Sequence, residues 1–240
     1  MPASRFAILQ VVVLALLGAT EAHARDPRPL PRAPRLRLGP LVGAAIPIGD
    51  VHSGLAIADV TPPALTLGAD LAWGPVLRWD IGLTVFSTLG LGEPRVCPQP
   101  SRVCGLAIGG QLAPRFRFHL APEQVVNPWL AVGAGLDVLA SEGRTTMTDS
   151  GIIFSSSTTT HRKATYYGPM LMLLVGADLR LHRTLFLGPV LAVGLSRFSS
   201  VANSVSADSE HISSSSGSLD GAFHSWIHLA ANVTFDIKLY

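Results

Sequence analysis

A chain of 240 residues with 48% hydrophobic but only 14% charged residues carries too little charge for an ordinary soluble surface, where about a quarter of residues are charged. Its mean hydropathy of +0.39 points to a membrane, yet beyond the N-terminus no apolar run reaches the roughly 18 residues that a helical span needs. The formal net charge of +2 is too small to imply a nucleic-acid partner.

In chain order, the first feature is an export signal. Arg5 supplies a positive start, Phe6 to Ala19 an apolar core, and Ala22-His23-Ala24 a small-x-small cleavage site. Cleavage is expected after Ala24, so residues 1–24 are the signal peptide. Residues 25–34 read as a Pro/Arg-rich leader, and Arg25, Arg28, Arg32, Arg35 and Arg37 as a solvated basic stretch. Residues 35–240 form one domain.

Within that domain, apolar residues recur at every second position, the signature of a strand whose successive side chains point to opposite faces. The segments run from Leu36 to Ile46, Leu65 to Trp73, Leu77 to Val85, and Leu106 to Leu112, with Phe116 and Phe118 continuing the last of these. They go on from Leu130 to Val138, Tyr167 to Leu181, Leu185 to Leu195 and Ile227 to Leu239. The alternate positions are small or polar, as in Thr66, Gly68 and Asp70, or His228, Asn232 and Thr234.

Between the segments, long and short links alternate. The long ones are approximately 47–64, 87–105, 140–165 and 198–222; the short ones lie near Gly74-Pro75, 121–127 and 182–184. The runs Ser155–Thr160 and Ser213–Ser218 are expected to be mobile loops, since such polar tracts cannot bury a core. Cys97 and Cys104 close a short Pro-rich segment of an exported chain and are expected to form a disulfide.

This pattern resembles the small eight-stranded outer-membrane β-barrels of Gram-negative bacteria, over nearly everything after residue 34. The resemblance implies an all-β fold: an antiparallel up-and-down transmembrane barrel of about eight strands with long external loops and short periplasmic turns. It implies an outer-membrane location with lipid as the principal partner, a monomer, and any surface ligand taken by the loops.

With the apolar phase facing lipid, the polar phase lines the interior. The inward charges are then Asp70, Asp80, Asp137, Asp178 and Asp236 against Arg37, Arg78, Arg115, Arg117, Arg180 and Lys238. Buried charge needs a partner, so these side chains are expected to form an ion-pair network that plugs the periplasmic half.

No catalytic, metal or cofactor site is expected. His224 and Ser225 are adjacent and so point to opposite faces of a strand, and His224 and His228 lie about 13 Å apart along it, too far to share a metal. The other histidines, His119 among them, fall at strand ends or in loops. The leading functional expectation is a structural or loop-mediated interaction barrel. A narrow pore or a barrel for small ligands or hydrophobic solutes comes second, and a lipid-modifying enzyme third. A soluble secreted β-domain would need protein to cover the apolar faces.

Overall fold

The computed structural model of the chain describes residues 34–52, 54–91, 103–150, 155–207 and 210–239. The signal peptide, nearly all of the leader, and Cys97 of the expected disulfide lie outside those residues. The described elements are β1 (Arg35–His52), β2 (Leu55–Ala56), α1 (Ile57–Val60), β3 (Ala64–Val76), β4 (Trp79–Gly90) and β5 (Val103–His119). They continue with β6 (Val126–Ser150), β7 (Ser155–Arg180), β8 (Leu185–Arg197), β9 (Ser200–Ala207), β10 (Glu210–Ser218) and β11 (Phe223–Lys238).

Eight of these strands close into a hydrogen-bonded ring. Its order is β1, β3, β4, β5, β6, β7, β8, β11 and back to β1, antiparallel throughout. Closure leaves the wall without an unpaired edge, which is what a sheet needs to satisfy its backbone in hydrocarbon.

The period-two pattern fixes which way each strand faces. Leu136, Leu171 and Leu229 are 57%, 63% and 55% exposed on the outer surface. Leu38, Val42, Leu71, Ile81, Val132 and Ile237 share that outward phase. The intervening residues are buried inside the ring: Arg37, Asp70, Asp80, Gln111, Arg115, Met172 and His228 are among them. A molecule that exposes its leucines and buries its arginines is built for an apolar solvent. Where the interior crowds, glycine makes the room: a Cβ at Gly176 would run into the Trp129 indole.

The two mouths differ. At one end the strands turn tightly, at residues 77–78, 120–125 and 181–184. At the other, the chain after β1 folds back over the opening as β2 and α1. There Val51, Ile57 and Val60 are buried against Leu139, Phe198 and Trp226.

The expectation of mobile serine-rich loops is corrected here. Ser155–Thr160 belongs to β7, paired with β6 out to Ser150↔Ser155, and Ser213–Ser218 belongs to β10, paired with β9, which in turn pairs with β7. At 25 and 26 residues, β6 and β7 far exceed the roughly 9–11 that cross a bilayer. The ladder simply continues past the wall, because it is made by main-chain groups and asks only that side chains tolerate extended backbone. Threonine favours that backbone.

Candidate functional site: the barrel interior

The interior is layered along the axis. Nearest the tight turns lies a floor of four arginines, Arg35, Arg37, Arg115 and Arg117, and four aspartates, Asp70, Asp80, Asp178 and Asp236, all buried. Alternation places them there. Arg35 and Arg37 are successive inward positions of β1, Arg115 and Arg117 of β5, and the aspartates come from β3, β4, β7 and β11.

Arg37 is the hub. Its Nε donates to Asp236 at 2.8 Å and its Nη2 to Asp178 at 2.7 Å, and its Nη1 lies 3.5 Å from Asp80. Arg35 donates to Asp236 at 3.3 Å and to the Leu77 carbonyl at 3.1 Å. Arg115 bridges Asp80, at 2.7 Å, and Asp70, which also accepts from Arg117 and from the Thr84 hydroxyl at 2.8 Å. Trp129 donates to Asp178 at 3.0 Å, and the Arg117 guanidinium stacks 4.1 Å over the Trp129 ring.

His119 joins this floor as the next inward position after Arg117. Its Nε2 meets Asp80 at 2.8 Å and its Nδ1 meets the Asn127 amide nitrogen at 2.8 Å. Asn127 Oδ1 accepts from the Ala121 N–H, so its amide nitrogen donates to Nδ1; Nε2 then carries the proton and donates to the carboxylate, and Arg37 Nη1, 3.2 Å from Nε2, packs against it without donating to it. Sequence reasoning placed His119 at a strand end. Extending the phase of Arg115 and Arg117 by one more step would have found it.

Several expected members lie elsewhere. Arg78 is exposed in the β3–β4 turn, where the alternation is interrupted. Lys238 is exposed at the end of β11, and Arg180 is half-buried and donates to the carbonyls of Pro122 and Gln124. Asp137 is inward but belongs to a different layer. Arg35, read as part of a solvated stretch, is instead buried in β1, and Arg37, read both in that stretch and among the inward charges, is buried with it. The Arg/Pro composition around Arg35 hid the strand's first inward position.

Above the floor comes an apolar layer that includes Leu41, Phe86, Met170, Met172, Leu174 and Val190. Above that lies a polar layer. His228 Nε2 meets Gln111 Oε1 at 2.9 Å, its Nδ1 meets the Thr66 hydroxyl at 3.2 Å, and its ring stacks 4.5 Å from Phe86. Nearby, Ser196 donates to Asp137 Oδ2 at 2.6 Å, and His224 Nε2 lies 2.9 Å from the same oxygen and 2.7 Å from Ser196 Oγ. Phe198 stacks on His224 at 4.1 Å.

Asp137, Ser196 and His224 are the residue types of a hydrolase triad, but their arrangement is not one. A triad holds the imidazole through one ring nitrogen and takes the serine proton on the other. Here both partners crowd Nε2, and Nδ1 is buried without a hydrogen bond. The geometry orients a packed histidine and does not activate a nucleophile. Ser196 carried no sequence signal, being one serine on an inward phase of small residues. Among the described residues no group of three His, Cys, Asp or Glu is placed to hold a metal ion.

No protein-family model matches the chain, and no curated protein matches it. Solved structures do. A major outer membrane protein of Thermus thermophilus superposes with a TM-score of 0.58 at 13% identity, over 85% of this chain and 100% of its own. The fold is that of an outer-membrane β-barrel. Neisserial surface protein A, at TM-score 0.47 and 9% identity, matches 85% of this chain and 97% of its own. OprG of Pseudomonas aeruginosa, at 0.42 and 9%, matches 88% and 99%. For this outer-membrane barrel fold the likeness extends to architecture, and its ionic floor and upper polar layer stand on their own geometry.

Proposed function

We propose that the chain is an integral outer-membrane barrel serving as a closed scaffold, without enzymatic activity, whose recognition is carried by the sheet that stands above the membrane. The observation that carries this reading is the floor. Its four guanidiniums and four carboxylates interlock across the lower interior. A solute passing along the axis would have to break several buried charge pairs at once, each costly to part in a low-dielectric interior. The apolar lid of Ile57 and Val60 on Phe198 and Trp226 closes the opposite mouth.

Planar-bilayer recording tests the reading. The purified full chain is expected to insert, shown by a boiling-dependent gel shift, and to give no steady single-channel steps. Arg115→Ala with Arg117→Ala removes half of the floor's cations and is expected to introduce conductance or flicker. Steady ohmic steps from the unaltered chain would overturn the closed scaffold in favour of a narrow pore. The export signal is part of the same proposal: N-terminal sequencing of the membrane-bound protein is expected to begin at Arg25, with Cys97 and Cys104 oxidised.

A further inference from the structure

The outward faces of β6 and β7 change character above the apolar belt. Val138 opposite Tyr167 is the last row of large apolar side chains on that face. Ala140 opposite Thr165 follows, then Glu142 opposite Lys163, then Arg144 opposite His161. Residues directly opposite in an antiparallel ladder share a face, so these four side chains form one patch. β9 widens it, setting Ser204 beside Lys163 and Ser206 beside His161. The alternate phase of the same strands, Ser141, Thr145 and Ala164, is buried. The patch therefore points away from the barrel axis, toward the side that meets lipid lower down. A groove of about 270 Å³ runs beside it, lined by Glu142, Gly143, His161, Lys163, Ser204 and Ser206 and by the half-buried Arg162 of the alternate phase.

Charge and height both select a partner. Two full cations and an imidazole face a single carboxylate, and the Lys163–Glu142 pair, at 3.9 Å with side chains 52% and 59% exposed, is held weakly in water. Lys163 is four residues beyond Tyr167, about 13 Å along the strand and about 10 Å along the membrane normal at a typical tilt. That is within reach of the headgroup layer for a long side chain that bends back toward it. Elsewhere around the barrel the upper outward positions include the apolar Ile48, Leu89 and Leu106, and the Arg197 guanidinium at the top of β8 is matched by Asp220 at 2.8 Å, so among these positions the cationic excess lies on the β6–β7 side.

We propose that this patch binds the phosphate of an anionic lipid headgroup in the outer leaflet, with Lys163 and Arg144 donating to its oxygens and the hydroxyls of Ser204 and Ser206 beside them. The proposal rests on the membrane placement argued above. It fits a headgroup better than a free ion because Glu142, Arg144, His161 and Lys163 share the exposed outward phase, the one that meets lipid lower down.

The test uses the full chain inserted in phosphatidylcholine vesicles, with spin-labelled phosphatidic acid or spin-labelled phosphatidylcholine as the probe. Electron paramagnetic resonance reads the fraction of each label held at the protein surface. Phosphatidic acid is expected to associate about fivefold more strongly, the scale of one cation acting near an anionic surface. Arg144→Gln with Lys163→Gln is expected to bring the ratio near one, and Glu142→Gln to raise it, while the boiling-dependent gel shift persists in both. Equal association in the unaltered chain, or a preference untouched by the double substitution, overturns the lipid site alone. Loss of the preference in millimolar inorganic phosphate at constant ionic strength overturns the headgroup in favour of the free ion. A chain that fails to insert at all overturns the membrane placement and the lipid site with it.

Discussion

In the floor of the barrel Arg37 reaches three carboxylates, at 2.7, 2.8 and 3.5 Å. At the upper mouth Ile57 and Val60 meet Phe198 and Trp226 with no charge among them. The floor is directional, since each guanidinium fits particular oxygens and removing one leaves buried charges uncompensated. The lid is not, since apolar contacts tolerate a change of shape as long as volume is kept. One interior is thus packed at its two ends by two different rules: the lower end by matching charge, the upper end by apolar contact.

Removal of a floor cation should therefore cost most. Arg37→Ala is expected to destabilise the inserted barrel by about 3–5 kcal/mol, the scale for breaking a buried ion pair from one side, read as a lower urea midpoint in vesicles. A loss under about 1 kcal/mol would show the floor to be hydrated and screened, and would dissolve the contrast with the lid. Phe198→Ala opens a cavity under the lid and is expected to cost about 3–5 kcal/mol at most, whereas Ile57→Leu should cost less than about 1.5. A large penalty for that conservative exchange would mean the lid is shape-specific after all.

Asp137→Asn keeps the volume beside Ser196 and His224 but removes the charge that both contact. It should cost about 1–3 kcal/mol by the same unfolding assay. The smallest effect belongs to the sheet outside the wall. Ser215 is exposed and faces Asn203 on β9, so Ser215→Ala should fall within about 0.5 kcal/mol. Amide exchange along β9 and β10 should then be unchanged, because main-chain bonds hold that hairpin.

Sequence reading recovered the wall because its signal is periodic. Every outward leucine from Leu38 to Leu229 sits on the phase that strict alternation assigns, and the inward Asp70, Asp80, Arg115, Arg117, Asp178 and Asp236 follow from it. What it lost has particular causes. Ser155–Thr160 and Ser213–Ser218 have no apolar residue to alternate with, so their strand character lies in backbone pairing that composition cannot display. Arg78 kept its phase on paper, but the turn at residues 77–78 ends the alternation there. Ser196 and His224 are 28 residues apart, and only the β8–β11 pairing, which sets them directly opposite each other, makes them neighbours.

The closing seam between β1 and β11 carries a consequence for assembly. Arg37 stands opposite Asp236 there, 199 residues away along the chain. A slip of one residue would swing Arg37 into lipid, an error the membrane itself rejects. A slip of two preserves every inward and outward phase, and hydrophobicity is blind to it. Such a slip would face Arg37 with Thr234 or Lys238 in place of the carboxylate. The last strand to arrive is thus proofread by charge, and the floor works as a lock that accepts only one tooth of the zipper.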